Sequence, residues 1–136
     1  MRDYGLYIHI PFCAQKCHYC DFNSVVAPDD LINRYLKALK NEIRLAADKY
    51  SNPKLETIYI GGGTPSILSG TELASILEEC RQEFDIERDL EITVEANPGT
   101  LNKKKLRLIK ETGVNRLSLG VQSFNNQVLE KLGRIH

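Results

Sequence analysis

Three cysteines, Cys13, Cys17 and Cys20, stand within eight residues at CxxxCxxC spacing. A loop of that length can fold back so that three sulfurs meet at one point. An odd number cannot all pair as disulfides, and three fall one short of the ligands that close a structural zinc site or saturate a cubane cluster. A [4Fe-4S] cluster held by three thiolates keeps one iron open to an outside ligand. Two other readings stand beside this one. Zinc needs His18, His9 or the distant Cys80 as its fourth ligand, and His18 directly follows Cys17, which makes joint binding of one small ion awkward. The third reading is that the thiols are packing residues.

The elements that must position these thiols are legible in the periodicity. Leu6 to Ile10 predicts a strand that feeds the cysteine loop. Pro28-Asp29-Asp30 opens a helix, with carboxylates at its positive end and Ile32, Leu36, Leu39, Ile43 and Ala47 at helical spacing. Ser51-Asn52-Pro53 ends it, and Leu55 to Ile60 predicts a second strand running into Gly61-Gly62-Gly63-Thr64-Pro65. Ser69 and Glu72 form a capping box for a helix whose stripe is Leu73, Ile76, Leu77, Cys80 and Phe84. Leu90 to Ala96 is a third strand. Asn97-Pro98-Gly99 then turns into a helix carrying Leu101, Leu106 and Ile109, closed by Gly113. Arg116 to Val121 is a fourth strand, and Val128, Leu129 and Leu132 belong to a short last helix.

Four βα units in a row predict an α/β fold with a parallel sheet. The pattern suits a doubly wound sheet or part of a (β/α) barrel, and in both the ligands sit at the carboxyl ends of the strands. All four ends carry unusual chemistry here: the cysteines, the glycine triplet, Glu95-Ala96-Asn97-Pro98 and Gly120-Val121-Gln122.

Composition narrows the function classes. At 136 residues the chain is one domain's worth at most, and 18 basic residues balance 18 acidic ones. No global field draws it to nucleic acid or anionic lipid. No run approaches the roughly 20 apolar residues of a membrane span, and nothing resembles a signal peptide. Clustered thiols then point to the cytoplasm and to metal or catalysis.

Together the motifs resemble the radical S-adenosylmethionine (SAM) superfamily. The likeness is strongest to its oxygen-independent coproporphyrinogen III oxidase-like branch, and within that to the HemW-like haem chaperones. It rests on Tyr7-Ile8-His9-Ile10-Pro11-Phe12-Cys13, Cys17-His18-Tyr19-Cys20-Asp21-Phe22, the glycine triplet with Thr64-Pro65-Ser66, Glu95-Ala96-Asn97-Pro98, Gly120-Val121-Gln122-Ser123-Phe124 and Leu132-Gly133-Arg134-Ile135-His136. The resemblance implies the first four βα units of a partial (β/α)6 barrel, truncated, with residues 1–136 forming an incomplete core domain and no C-terminal domain.

It further implies a [4Fe-4S] cluster on Cys13, Cys17 and Cys20, with SAM chelating the fourth iron and cleaved to a 5′-deoxyadenosyl radical. The SAM contacts it implies are Tyr7, Gly62, Gly63, Thr64, Glu95, Gln122 and Arg134, with no catalytic side chain assigned. Haem or a porphyrin is the expected partner of the full-length protein, together with a haem-acceptor protein. The true coproporphyrinogen dehydrogenases are similar, but carry a further cysteine where this chain has Phe22, and an extension ahead of the cluster motif. The branch's haem-binding HNxxYW motif is expected beyond His136.

Several residues carry plainer readings. The glycine triplet lacks the Lys-Ser/Thr of a P-loop and is otherwise a tight turn. Cys80 reads as core, His9 as a hydrogen-bonded interior residue, and Lys103-Lys104-Lys105 as a solvated helix face. His18 has no evident role, and His136 stands where the chain stops.

Overall fold

The computed structural model describes residues 4–136. Its elements alternate as expected: β1 (Tyr4–Ile10), α1 (Asp29–Lys49), β2 (Lys54–Gly62), α2 (Gly70–Glu83), β3 (Asp85–Ala96), α3 (Lys103–Glu111), β4 (Arg116–Leu119) and α4 (Asn126–Lys131), with short 3-10 turns at Pro65–Ile67 and Pro98–Thr100. All three strand pairings are parallel, in the order β1-β2-β3-β4.

That order decides between the two architectures left open by pattern. A doubly wound sheet reverses its strand order and covers both faces. Here the order never reverses. Ile8 and Ile10, Ile58 and Ile60, and Ile92 and Val94 all enter one buried cluster with Leu39 and Ile43 of α1, Leu73, Ile76, Leu77 and Cys80 of α2, and Ile109 of α3. The helices therefore share one face, and the sheet is an arc of a (β/α) barrel. On the opposite face the register aligns Tyr7 with Tyr59, Tyr59 with Thr93, and Thr93 with Arg116.

Local chemistry explains the boundaries. Ser69 accepts from the Glu72 N–H while Glu72 returns to the Ser69 N–H, completing the capping box of α2. α1 starts at Asp29, after Pro28, with Asp29 and Asp30 in its first turn, and stops before Ser51 and Asn52, both at positive φ. Gly113, at φ +94°, follows the C-cap of α3.

Several boundaries differ from expectation, β1 already beginning at Tyr4. β2 runs on through Gly61 and Gly62, which pair with His9 and Ile10. β3 begins at Asp85 rather than Leu90, with an irregular register between Leu55 and Thr57 of its partner. Leu101 precedes α3, because Pro98–Thr100 forms its own turn and Asn102 is the N-cap. β4 stops at Leu119: Gly120 N–H makes the last ladder bond, to Ala96 O, and Gln122 then takes φ +65°. No helix among the described residues is long and apolar enough to cross a membrane.

Candidate functional site

The cysteine loop is closed at its neck. Phe12 and Val25 form an isolated parallel bridge, with Cys13 N–H donating to Val25 O at 3.0 Å and Val25 N–H to Pro11 O at 2.8 Å. The Phe12 ring meets Tyr35 edge-on at 5.1 Å, anchoring the neck to α1. His9, next to last in β1, bonds Asn23 O through Nε2 and the Tyr7 hydroxyl through Nδ1, each at 3.0 Å. It is the hydrogen-bonded residue the sequence suggested.

The glycine turn is laced to the same loop. Gly63 N–H donates to Ile10 O at 2.8 Å and Thr64 N–H to Phe12 O at 2.7 Å. A Cβ on Gly63 would fall 2.7 Å from Phe12 O and 3.0 Å from Cys13 Sγ, so only glycine allows the backbone this near the thiol. Thr64 Oγ1 reaches Cys13 Sγ at 3.4 Å.

From the far end of the chain, residues 131–134 clasp the loop. His18 N–H donates to Leu132 O, His18 Nδ1 lies 3.1 Å from Lys131 O, and Gln15 Nε2 donates to Gly133 O at 3.2 Å. Gly133 has φ +72°, and a Cβ there would lie 3.1 Å from the His18 ring. His18, without a role in the sequence reading, is thus a staple of the loop. Arg134 spans the site: Nη2 donates to Gly120 O at 2.6 Å, and Nη1 reaches Cys17 Sγ and the Tyr19 hydroxyl, each at 3.4 Å. Its Nε is buried without a partner. His136 Nε2 bonds Val121 O at 3.0 Å.

These groups border one cavity of about 330 Å³ at the carboxyl ends of the strands. Cys13, Cys17, Cys20, Gly62, Gly63, Thr64, Glu95, Gln122 and Arg134 all line it. Tyr7 does not. It lies one register step down the open face, stacked on Tyr59 at 6.1 Å and half exposed. Desolvation, with the Glu95 charge behind it, raises the Tyr7 pKa.

Glu95 is fixed from two sides. Tyr59 OH donates to Oε1 at 2.6 Å and Gly62 N–H to Oε2 at 3.1 Å. The first of these bonds is the main reason the Tyr59 phenol is pushed up. Gly61 leaves the room for it, since a Cβ there would strike the Tyr59 ring at 2.8 Å and Glu95 Oε2 at 3.0 Å. Tyr59 was missed from sequence; its position four residues N-terminal to Gly63, on the face of Glu95, was the available signal. Gln122 holds a left-handed backbone that costs a non-glycine residue on the order of 1 kcal/mol.

Among the described residues, no three His, Cys, Asp or Glu side chains are gathered to hold a single metal ion. The thiols ring a cavity instead. A polynuclear cluster with a polar ligand beside it fits this site: soft sulfur donors, a backbone cradle that a Cβ would fill, and an unpartnered guanidinium Nε. Cys80 stands apart, fully buried on the inner face of α2, where burial pushes its thiol up to about 12.

Residues 7–136 match the Radical SAM superfamily. The chain is 47% identical over 131 residues to "Heme chaperone HemW" of Bacillus subtilis and 46% identical over 137 residues to that of Escherichia coli, covering 96% and 97% of this chain. It spans about 35% of the length of those curated relatives. Among solved structures, coproporphyrinogen III oxidase (HemN) from Escherichia coli, described as a radical SAM enzyme, aligns with a TM-score of 0.91 at 33% identity, over 97% of this chain and 31% of that one. A match that runs from β1 to the final residue, on the same parallel fold, makes the assignment: the chain belongs to the radical SAM superfamily.

Proposed function

We propose that the cavity holds a [4Fe-4S] cluster on Cys13, Cys17 and Cys20 with SAM beside it, and that residues 1–136 are the amino-terminal portion of the core domain of a HemW-like haem chaperone. The observation that carries the reading is the meeting of three thiols, the glycine turn and Arg134 around one cavity. Three thiols border the cavity with no fourth protein thiol beside them among the described residues, one short of a closed zinc site, which favours a cluster with an open position over structural zinc. The reduced cytoplasm suits free thiols of this kind.

When bound, the cluster supplies a low-potential electron, and the radical chemistry belongs to the cofactor. The chain's own part is binding and orientation. Gly62, Gly63 and Thr64 offer backbone groups to the methionyl end, while Arg134 brings a planar guanidinium to its carboxylate. Glu95, held by Tyr59, accepts a hydrogen bond from the polar part of the ligand, and Gln122 faces it from beyond β4. Tyr7 acts at one remove, through its stack on Tyr59.

Haem and a porphyrin-type substrate enter through the names of the relatives, and a haem-acceptor protein through the chaperone reading itself. The second reading, a coproporphyrinogen III oxidase, is favoured by the alignment with HemN. Phe22, on the cavity wall, supports the chaperone reading over it.

The test is anaerobic reconstitution of the full-length protein with iron and sulfide. SAM added to the reduced protein is expected to shift its EPR signal, and Cys17→Ala to abolish cluster assembly while Cys80→Ala leaves it intact. Equal loss in both variants refutes the ligand set. Haem titration, set beside an anaerobic decarboxylation assay, separates the two functions.

A further inference from the structure

Two turns carry the cavity's backbone: Pro65–Ile67 after β2 and Pro98–Thr100 after β3. They meet in a small polar knot. Asn97 N–H donates to Ser66 Oγ at 3.0 Å, Ser66 Oγ bonds Thr100 Oγ1, and Thr100 Oγ1 donates to Asn97 O at 2.7 Å. Ser66 is fully buried. Into this knot reaches an ammonium from α3: Lys105 Nζ donates to Ser66 O at 2.7 Å and to Thr100 O at 2.9 Å.

The setting makes this more than a helix lysine. Lys105 lies in the first turn of α3, where the helix dipole disfavours a cation and where no acidic residue offsets it. Its ammonium makes no ion pair among the described residues. Burial lowers its pKa, only partly opposed by Glu72. A solvated face, the expectation for residues 103–105, gives up no hydration. Lys103 and Lys104 are exposed as expected, and Lys105 is the exception.

We infer that Lys105 is a positioning residue for the cavity: by bridging the carbonyls of Ser66 and Thr100 it sets the spacing between the glycine turn, with Gly63 and Thr64, and the Glu95–Asn97 strand end. The inference rests on the cavity being the SAM site for its functional consequence, though the tie between the turns stands on geometry alone. Two backbone carbonyls demand a donor with two N–H groups on a long stem. Arginine can supply that and methionine cannot.

The experiment compares Lys105→Met, Lys105→Arg and the exposed-neighbour control Lys104→Met in the full-length, anaerobically reconstituted protein. Iron and sulfide content, SAM affinity by EPR titration, and amide hydrogen exchange in residues 61–67 and 97–100 are read for each. Lys105→Met is expected to keep its iron, to weaken SAM binding roughly tenfold, and to speed exchange in both turns together. Lys105→Arg should return both readouts to within about threefold of the parent, and Lys104→Met should change neither. Unchanged exchange and affinity in Lys105→Met overturns the proposal, as does equal loss in the arginine variant. If the parent protein ignores SAM altogether, the site's proposed function fails, while the paired exchange of the two turns still decides the role of Lys105.

Discussion

Glu95 shows how much a single side chain depends on its neighbours. Tyr59→Phe keeps the ring, and with it the stack on Tyr7, but removes the donor to Oε1. SAM affinity should drop two- to tenfold with stability nearly unchanged, by calorimetric titration and urea unfolding; equal affinity would exclude a positioning role. Cys80 makes the opposite case. Its thiol ionises near 9 when unfolded and near 12 in the fold. The unfolded state therefore sheds the proton first, and stability falls as pH rises from about 9 towards 12. Cys80→Ala should flatten that alkaline slope relative to the parent, although it costs some packing at neutral pH. Cys80 was readable as core because helical spacing fixes which face a residue takes. Tyr59 was not, because alternation along a strand names a face and says nothing of the partner on the next strand. Lys105 was misread because the three lysines were taken as one face, although Lys105 alone of them stands four positions before the buried Ile109 and is partly buried.

At the level of elements, the capping box, the glycine C′ position and the buried stripes of α1 and α2 were visible, since each depends on residues within a few positions, whereas in the last two helices only Ile109 and Leu129 are buried and Val128 is exposed. The ends of β2 and β4 were not. Gly61 and Gly62 stay in the sheet because His9 and Ile10 pair with them, a contact decided by another strand, and β4 ends as the backbone turns into Gln122 at positive φ. The clasp of the cysteine loop is likewise non-local. Gly133→Ala must place a Cβ at positive φ against the His18 ring, which should cost about 1–2 kcal/mol and lower the iron retained on reconstitution. Gly113→Ala is the matched control: also at positive φ, its Cβ meets the Arg81 guanidinium and Ile92, far from the cysteine loop, so it should lose stability with normal iron content.

Across the whole molecule, one helical layer backs one sheet, and its α1–α2 seam carries a buried carboxylate. Arg44 Nε lies 2.6 Å from Glu79 Oε1, off the N–H axis, with Lys40 at 4.0 Å from Oε2 and Glu79 itself buried. Arg44→Met should cost about 1–3 kcal/mol in chemical denaturation, because it leaves that charge short of a partner inside the seam. Removing Arg44 and Glu79 together should restore much of the loss.

The Arg134 guanidinium and the Cys17 sulfur are neighbours separated by 117 positions along the chain. A ribosome adding roughly 5–20 residues per second would emit the thiols some 6–25 s before their clasp. Through that interval the loop is held only by its amino-terminal ties, the Phe12–Val25 neck, His9 and the glycine turn, with the His18 and Gln15 staples still unmade. Iron delivered to the nascent polypeptide would meet loose, oxidisable sulfurs, so loading of the metal centre belongs after translation has passed residue 134.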